Sequence, residues 1–334
     1  MKYFITGING FIGFSLAKKL VDLGHEVSGI DSMNQYYDVS LKAARERILD
    51  DDYKVVVHHG SIVNNTYQNV FIVKDPNYNR LDECIKQEKP DAVIHLAGYA
   101  GIRNSLEDPE TYIENNINGT QNVINVCEKY GIEKVLYAST SSVMANNTIL
   151  PWNEKERLGD MLSPYAYTKQ VNEHQFKISN IENTIGLRFF TVYGPWGRPD
   201  MALFHFTNNI LQGKPIDVYN HGDMKRDFTY IDDIVEGIIS LLKPSEYFKA
   251  FMQDQIYNIG YGQKVDLMDF ISEIEKNLGK TAEKNFLPMH PADSQETWSD
   301  TTKLRNHTGW IPTTSMADGV SEFISWYKSF YKVN

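Results

Sequence analysis

The chain has 334 residues, 42% hydrophobic and 23% charged, with a formal net charge of −10, enough material for one large core and a smaller lobe. That charge repels nucleic acid and acidic membranes, so an anionic ligand must be held by local arginines and backbone amides, and Arg103, Arg198 and Arg226 are the ones to follow. No run of about eighteen apolar residues occurs and "MKYFITGINGF" has no signal-peptide pattern, which predicts a cytoplasmic protein that makes no membrane contact. Cys84 and Cys127 lie in neither a CxxC nor a metal-ligand spacing, so they are expected in the core, with no disulfide framework and no metal.

From Lys2 to about residue 190, short β-branched or aromatic runs alternate with helical patterns, which argues for parallel strands joined by crossover helices. Strands are predicted over 2–6, 26–31, 53–59, 91–97, 134–140 and 184–190, giving an α/β fold with a doubly wound, Rossmann-type parallel sheet. After the first strand, "ITGINGFIG" places Gly7, Gly10, Phe11, Ile12 and Gly13 at the opening of a helix that runs to about Leu23. Glycines there let the backbone approach a pyrophosphate, whose charge sits on the positive helix N-terminus. The second strand ends in Asp31, at the distance where an acid accepts ribose hydroxyls and repels a 2′-phosphate. With no arginine close by in the sequence, NAD is favoured over NADP.

The fourth strand runs out into "HLAGYAGIRNS", where Leu96, Ala97 and the small residues after them lie where a cofactor would pass. A tight strand-to-loop turn accounts for them equally well. The fifth ends in "YASTSSV", whose Thr140, Ser141 and Ser142 offer hydroxyls at the carboxyl edge of the sheet, the place to hold a substrate oxygen. In "SPYAYTKQVNE", Ser163 and Pro164 form an N-cap and first-turn pair, with Tyr165 in the first turn and Lys169 one turn later on the same face. Alone, such a pair is more often two neighbours on a solvated helix. As chemistry it is affordable: an ammonium about 5 Å away at an effective dielectric of about 20 favours the phenolate by roughly 3 kcal/mol. The helix terminus adds up to about 1 kcal/mol, and about 4 kcal/mol brings a phenol from about 10 to near 7. Such a phenolate can take the proton of a sugar hydroxyl while the carbon beneath gives hydride to nicotinamide.

Beyond Tyr193 the rhythm is irregular, with helices predicted near 203–212, 232–242, 266–277 and 316–330 and short runs "IDVYN" and "QIYNIGY". The expected division is a cofactor domain over 1–190, joined by returning segments at about 228–262, and a smaller substrate lobe mainly over 191–334.

The glycine triplet, Asp31, Thr140 and Tyr165 with Lys169 resemble the extended short-chain dehydrogenase/reductase family, specifically its nucleotide-sugar epimerases. "LRFFTVYGPWGRPDMALF", "GKPIDVYNHGDMKRDFTYIDDIVEGI" and "DSMNQYYDVSLKAARERIL" look very like UDP-glucuronate 4-epimerases, and the resemblance covers essentially the whole chain. It implies that Tyr165 is the base, that Lys169 holds the nicotinamide ribose and tunes the tyrosine, that Thr140 binds the reacting hydroxyl, and that NAD stays bound throughout. Ser61 and Ile62 are assigned to the cofactor site, Ser61 by the adenine, with Asn115 near the nicotinamide end. Arg226 would grip the diphosphate, Tyr219 would line the uracil site and Asp293 would contact the nucleotide; Arg103 is counted with these substrate groups. Thr191 and Arg198, with Thr140, Ser141 and Ser142, would surround the sugar carboxylate, where a planar guanidinium matches two oxygens.

Related 4,6-dehydratases carry an aspartate and a glutamate at the positions of Ser141 and Ser142, and related decarboxylases a glutamate at that of Ser142. The serines therefore point to 4-epimerisation through a 4-keto sugar, and the resemblance implies UDP-glucuronate to UDP-galacturonate as the conversion, for surface polysaccharide, in a homodimer packed through two helices from each subunit. Three positions depart from the pattern: Ser61 replaces a common aspartate, Met144 a common tyrosine, and His290 a glutamine or arginine. Two other readings stay open, a 4-epimerase of UDP-glucose or UDP-N-acetylglucosamine and a non-catalytic NAD-binding regulatory protein of the same fold.

Overall fold

The structure, a computed structural model, describes residues 1–63, 80–156, 158–243 and 255–333. Strands β1 (Lys2–Thr6), β2 (Glu26–Asp31), β3 (Val56–His59), β4 (Ala92–His95), β5 (Lys134–Thr140) and β6 (Asn183–Phe189), with a seventh strand Gln255–Ile259, form one sheet. Its order is β3–β2–β1–β4–β5–β6 followed by the seventh strand, and β1 pairs in parallel with β2 and β4, as do β2 with β3 and β4 with β5. The winding reverses between β1 and β4, which opens a crevice at the carboxyl ends of those strands. Runs such as "AVIH" are buried at every position because helices cover both faces of a parallel sheet.

The strand limits follow the expectation at β1, β2 and β5. β3 starts three residues later than expected because Lys54 takes φ 55, a turn conformation that no strand contains. β4 stops at His95 because the amide of Ala97 bonds the Thr6 hydroxyl at 3.2 Å instead of a strand partner.

The described residues fall into two compact units. The first lies within 1–143, 163–188 and 243–257, the second within 144–162, 189–242 and 258–334. Residues 144–162 thus go with the second unit, and of the expected returning stretch 228–262 the first takes only 243–257. In the first, helices α1 (Phe11–Asp22), α2 (Val39–Asp51) and α3 (Arg80–Glu88) are followed by α4 (Ile102–Glu107), α5 (Pro109–Tyr112), a π-helical turn Ile113–Asn118, α6 (Gly119–Lys129) and α7 (Pro164–Lys177). Phe14, Leu16, Ala17 and Leu20 give α1 its buried face. α7 begins where the Ser163 hydroxyl accepts the Ala166 amide at 3.2 Å, with proline in the first turn. Cys84 and Cys127 lie in the core with Phe4, Val93, Val135 and Phe176, and burial pushes their thiols up to about 11 and about 12.

The second unit pairs Thr191–Tyr193 in parallel with Phe228–Tyr230 and carries α8 (Ala202–Leu211), α9 (Ile231–Leu242) and the helices Leu267–Leu278 and Met316–Tyr331, close to the four expected. Its core stacks Phe228 on Phe270 with centroids 4.0 Å apart. Asp227, fully buried, accepts the amides of Tyr261, Gly262 and Ser299 at 2.7, 3.1 and 3.0 Å, binding three segments of chain with one carboxylate.

Candidate active site

The glycine loop is closed by backbone proximity. Gly7 has φ 74, and a Cβ there would lie 2.8 Å from the Ala97 amide nitrogen; a Cβ on Gly10 would lie 2.9 Å from the Gly7 carbonyl oxygen, and one on Gly13 would collide with the same oxygen. Each glycine therefore buys a close approach that no other residue allows. The N-cap of α1, Gly10, makes no side-chain cap bond, and the first turn holds no acid. A helix N-terminus in that state suits a pyrophosphate.

Asp31, 6% exposed, accepts the Asn9 amide at 3.2 Å and the Met33 amide at 2.8 Å, which fixes its carboxylate beside the glycine loop. The fold brings α2 alongside it. Lys42 Nζ lies 3.9 Å from Asp31 Oδ1, and the buried Arg45 donates to the Asn9 carbonyl and the Tyr37 hydroxyl, both at 2.8 Å. Neither cation is close to Asp31 in the sequence, since both stand more than ten residues downstream. Arg45 is thereby tied to the glycine loop, and Lys42 donates to the Asn34 carbonyl and side chain in the segment after β2, so the two brace the chain on either side of the acid. The donor set therefore fits an anionic dinucleotide with ribose hydroxyls at Asp31.

Ser61 accepts the Val63 amide at 3.0 Å, and the buried Ile62 presents its carbonyl to Asn122 at 2.7 Å. Leu96 and Ala97 are half-buried at the end of β4. Asn115 donates back to the Thr111 carbonyl at 2.9 Å. Its neighbour Asn116, which sequence reasoning passed over, is 1% exposed. Asn116 accepts the Tyr99 amide at 2.8 Å and donates to the Tyr99 carbonyl at 2.9 Å and to Thr168 at 3.0 Å, while its own carbonyl accepts Asn172 at 2.7 Å. This pins the loop after β4 to α7. A π-helical turn has no sequence signature, but Thr168 and Asn172 four apart on α7 were a readable polar pair.

Lys169 is 4% exposed and donates to the Ala138 carbonyl at 3.0 Å. Burial pushes its ammonium down to about 8, still above neutral pH, so it carries its charge there. A Cβ on Gly98 would stand 3.3 Å from Lys169 Nζ and 3.0 Å from Asn116 Oδ1, so the absent side chain leaves the ammonium reachable from the loop after β4. His95, 2% exposed, bridges the hydroxyls of Thr6 and Thr120 at 2.7 and 2.9 Å. Burial, then the Lys169 charge, holds its imidazole down to about 3, so Lys169 faces no second cation from that side.

Tyr165 is half-buried in the first turn of α7. Its amide donates to Ser105 at 3.1 Å and its ring meets the edge of Tyr112 at 6.2 Å. Thr140 donates to the Ser142 hydroxyl and accepts the Ser142 amide, each at 3.2 Å; Ser141 is half-buried beside it, and Arg103 is half-buried on α4. The first unit thus holds the glycine loop, Asp31, the three hydroxyl residues and the Tyr–Lys pair.

The remaining candidates belong to the second unit. Thr191 and Arg198 line a small pocket with Tyr193, Met201, Phe204 and Phe323. Both arms of the Arg198 fork rest on Asp200, with Nε 3.0 Å from Oδ1 and Nη2 on Oδ2. Arg226 donates to the carbonyls of Lys225 and Gln295 at 2.9 and 3.0 Å, and the next residue is the buried Asp227. Tyr219 heads a short 3-10 turn, and the Asp293 amide donates to the His290 carbonyl at 3.0 Å. Met144 is fully buried, so that departure is a matter of packing. Among the described residues no cluster of three or more histidines, cysteines or acids could hold a metal ion.

The family described as "Epimerase: NAD dependent epimerase/dehydratase family" matches residues 3–260. Protein CapI of Staphylococcus aureus is 43% identical over 99% of this chain and 100% of its own. A probable UDP-glucuronate 4-epimerase of Rhizobium meliloti is 39% identical over 99% of this chain and 98% of its own. Among solved structures, the UDP-glucuronic acid 4-epimerase of Bacillus cereus, in complex with UDP-glucuronic acid and NAD, superposes with a TM-score of 0.87 at 32% identity, over 99% of this chain and 100% of its own.

Proposed function

The chain belongs to the NAD dependent epimerase/dehydratase family, and from that premise we propose that it inverts carbon 4 of a UDP-sugar, converting UDP-glucuronate to UDP-galacturonate through a 4-keto sugar. One observation carries the reading: a first-turn Tyr165, a buried but charged Lys169 and the Thr140 hydroxyl assemble in one unit, with serines instead of acids at 141 and 142. Bound NAD supplies reversible hydride exchange with carbon 4. Gly7, Gly10, Gly13 and the opening of α1 would hold its pyrophosphate, Asp31 its ribose hydroxyls and Lys169 the ribose beside nicotinamide.

Tyr165 takes the proton of the 4-hydroxyl and returns it at the end, and the Lys169 charge lowers the cost of the phenolate. Thr140 orients the reacting oxygen. Ser141 and Ser142 can bond a carboxylate but cannot protonate a departing hydroxyl, so loss of water lacks its acid. Arg226 and Tyr219 would take the diphosphate and the base, leaving the sugar free to turn over between the two half-reactions. The relatives' names support the glucuronate assignment.

One observation favours a neutral sugar instead: Arg198 already has Asp200 in its fork, so a sugar carboxylate would have to displace that partner. Turnover of UDP-glucuronate, UDP-glucose and UDP-N-acetylglucosamine by the purified protein, with the dinucleotide identified after denaturation, decides between the readings. Release of NAD and preference for UDP-glucuronate is the expected result; preference for UDP-glucose removes the carboxylate role of Arg198. In the same assay Tyr165→Phe should keep its NAD and lose turnover, and an active variant would falsify the assignment of the base.

A homodimer, a cytoplasmic site of action and a place in polysaccharide synthesis belong to the same reading. Ile113 on the π turn and Tyr167 and Ile178 at α7, 42%, 49% and 82% exposed, support a second copy packing on that face. No helix among the described residues is long and apolar enough to cross a membrane.

A further inference from the structure

One turn beyond Lys169, α7 carries Glu173, a carboxylate only 6% exposed. Its Oε1 accepts the Ser139 hydroxyl at 2.6 Å and Arg188 Nε at 2.8 Å, and its Oε2 accepts Arg188 Nη2 at 2.9 Å. Ser139 and Arg188 are 2% and 3% exposed. Ser139 is flanked on β5 by the two residues that matter for the chemistry: Ala138, whose carbonyl receives the Lys169 ammonium, and Thr140. Alternation along a strand turns the Ser139 side chain to the face opposite those of its neighbours, which is the face its bond to α7 occupies. The end of β5 is therefore joined to α7 twice in succession, once through Lys169 and once through Glu173, and Arg188 ties the same carboxylate to β6.

We propose that Ser139, Glu173 and Arg188 form a positioning clamp that sets the Thr140 hydroxyl against Tyr165 and Lys169, acting on proton removal without touching the substrate. The inference rests on Tyr165 being the base. A buried ion pair is a poor source of stability, since apolar residues of the same volume do as well or better. What it fixes is geometry: the bidentate fork and the short hydroxyl bond leave the helix no freedom to slide along the strand. A shift of about 1 Å in such a constellation costs on the order of 10²-fold in rate.

Ser139→Ala removes one arm of the clamp and leaves the ion pair intact, so the variant should fold. Assayed as NAD-bound protein on whichever UDP-sugar the wild type turns over, it should keep its NAD and its KM, lower its thermal midpoint only by the cost of one hydrogen bond, and lose about 10-fold or more in kcat. Ser139→Thr, which keeps the hydroxyl, should restore kcat. A Ser139→Ala variant within about two-fold of wild-type kcat, or a loss that tracks the thermal midpoint and is not restored by Ser139→Thr, overturns the clamp while leaving the epimerase reading untouched. A wild type that epimerises no UDP-sugar overturns that reading and the clamp with it.

Discussion

In the proposed reading, burial of Lys169 sets function against stability at a single side chain. The folded ammonium titrates at about 8 against an ordinary 10.5. Below pH 8 both folded and unfolded lysine are charged and the burial penalty is present in full. Between 8 and 10.5 the folded side chain sheds its proton first, so stability rises with pH through that window. The penalty corresponds to about 3 kcal/mol, offset in a Lys169→Met variant by about 1 kcal/mol for the Ala138 carbonyl left without its donor. Urea melts of NAD-free protein at pH 7 should therefore show Lys169→Met more stable than wild type by about 2 kcal/mol, with the gap closing by pH 10, while turnover falls by about 10² or more. A variant less stable than wild type at pH 7 would contradict the buried charge. His95 works in the opposite window. With its imidazole held near 3, the neutral ring's stability is intact above about 6.5 and is lost as pH falls toward 3, because the unfolded side chain takes its proton first. His95→Gln, which can still bridge Thr6 and Thr120, should flatten the fall of the thermal midpoint between pH 6.5 and 4. Tyr165 and Lys169 were legible because a cap, a proline and a four-residue spacing are local features. His95 and Glu173 were not, because their partners stand 89 and 34 residues away.

At the scale of elements, an apolar run fixes that a strand exists better than where it ends, since β4 is buried at every position yet is shorter than expected. β1, β2 and β5 fall at their expected limits. The ends of β3 and β4 are decided by a backbone turn at Lys54 and by the Thr6 hydroxyl, neither of which leaves a pattern in composition. The segment after β2 was conspicuous as a string, yet its role is visible only in space. Asn104 on α4 donates to the Tyr36 hydroxyl at 2.9 Å, the Tyr36 ring meets Tyr99 edge-on at 5.7 Å, and a Cβ on Gly101 would collide with that hydroxyl. Gly101 also has φ 131, outside the reach of side chains with ordinary strain. Gly101→Ala should cost about 2 kcal/mol and reduce the fraction of protein purified with NAD, since the loops after β2 and β4 both border the glycine loop. Adding Tyr36→Phe removes the colliding oxygen but not the backbone strain, so a double-mutant cycle should recover part of the loss. Full additivity would mean that the two loops do not touch in solution.

Across the whole molecule, the residues to which the proposed reading gives roles are divided between the two units. Tyr165, Lys169, Thr140 and the cofactor loop lie in the first unit, and Arg198, Tyr219, Arg226 and Asp293 in the second. This division explains why the sequence could name the residues but not what each already holds. Motif strings identify side chains one by one, whereas the Asp227 hub behind Arg226 depends on how distant segments fold back onto it. With a net charge of −10, the protein gives a UDP-sugar no general attraction, so the diphosphate depends on local donors. Charge-assisted bonds to such a group contribute about 1.5–3 kcal/mol each. Arg226→Ala should therefore raise the Kd for UDP by about 10- to 100-fold and raise KM similarly, with NAD content unchanged and kcat at saturating substrate within a few-fold of wild type. Tyr165→Phe should show the mirror image, a UDP Kd like that of wild type and no turnover. Calorimetry with UDP and steady-state kinetics on the two variants test the division directly. A Tyr165→Phe variant that loses UDP affinity, or an Arg226→Ala variant that loses kcat at saturation, would mean that grip and chemistry are not carried by separate residues.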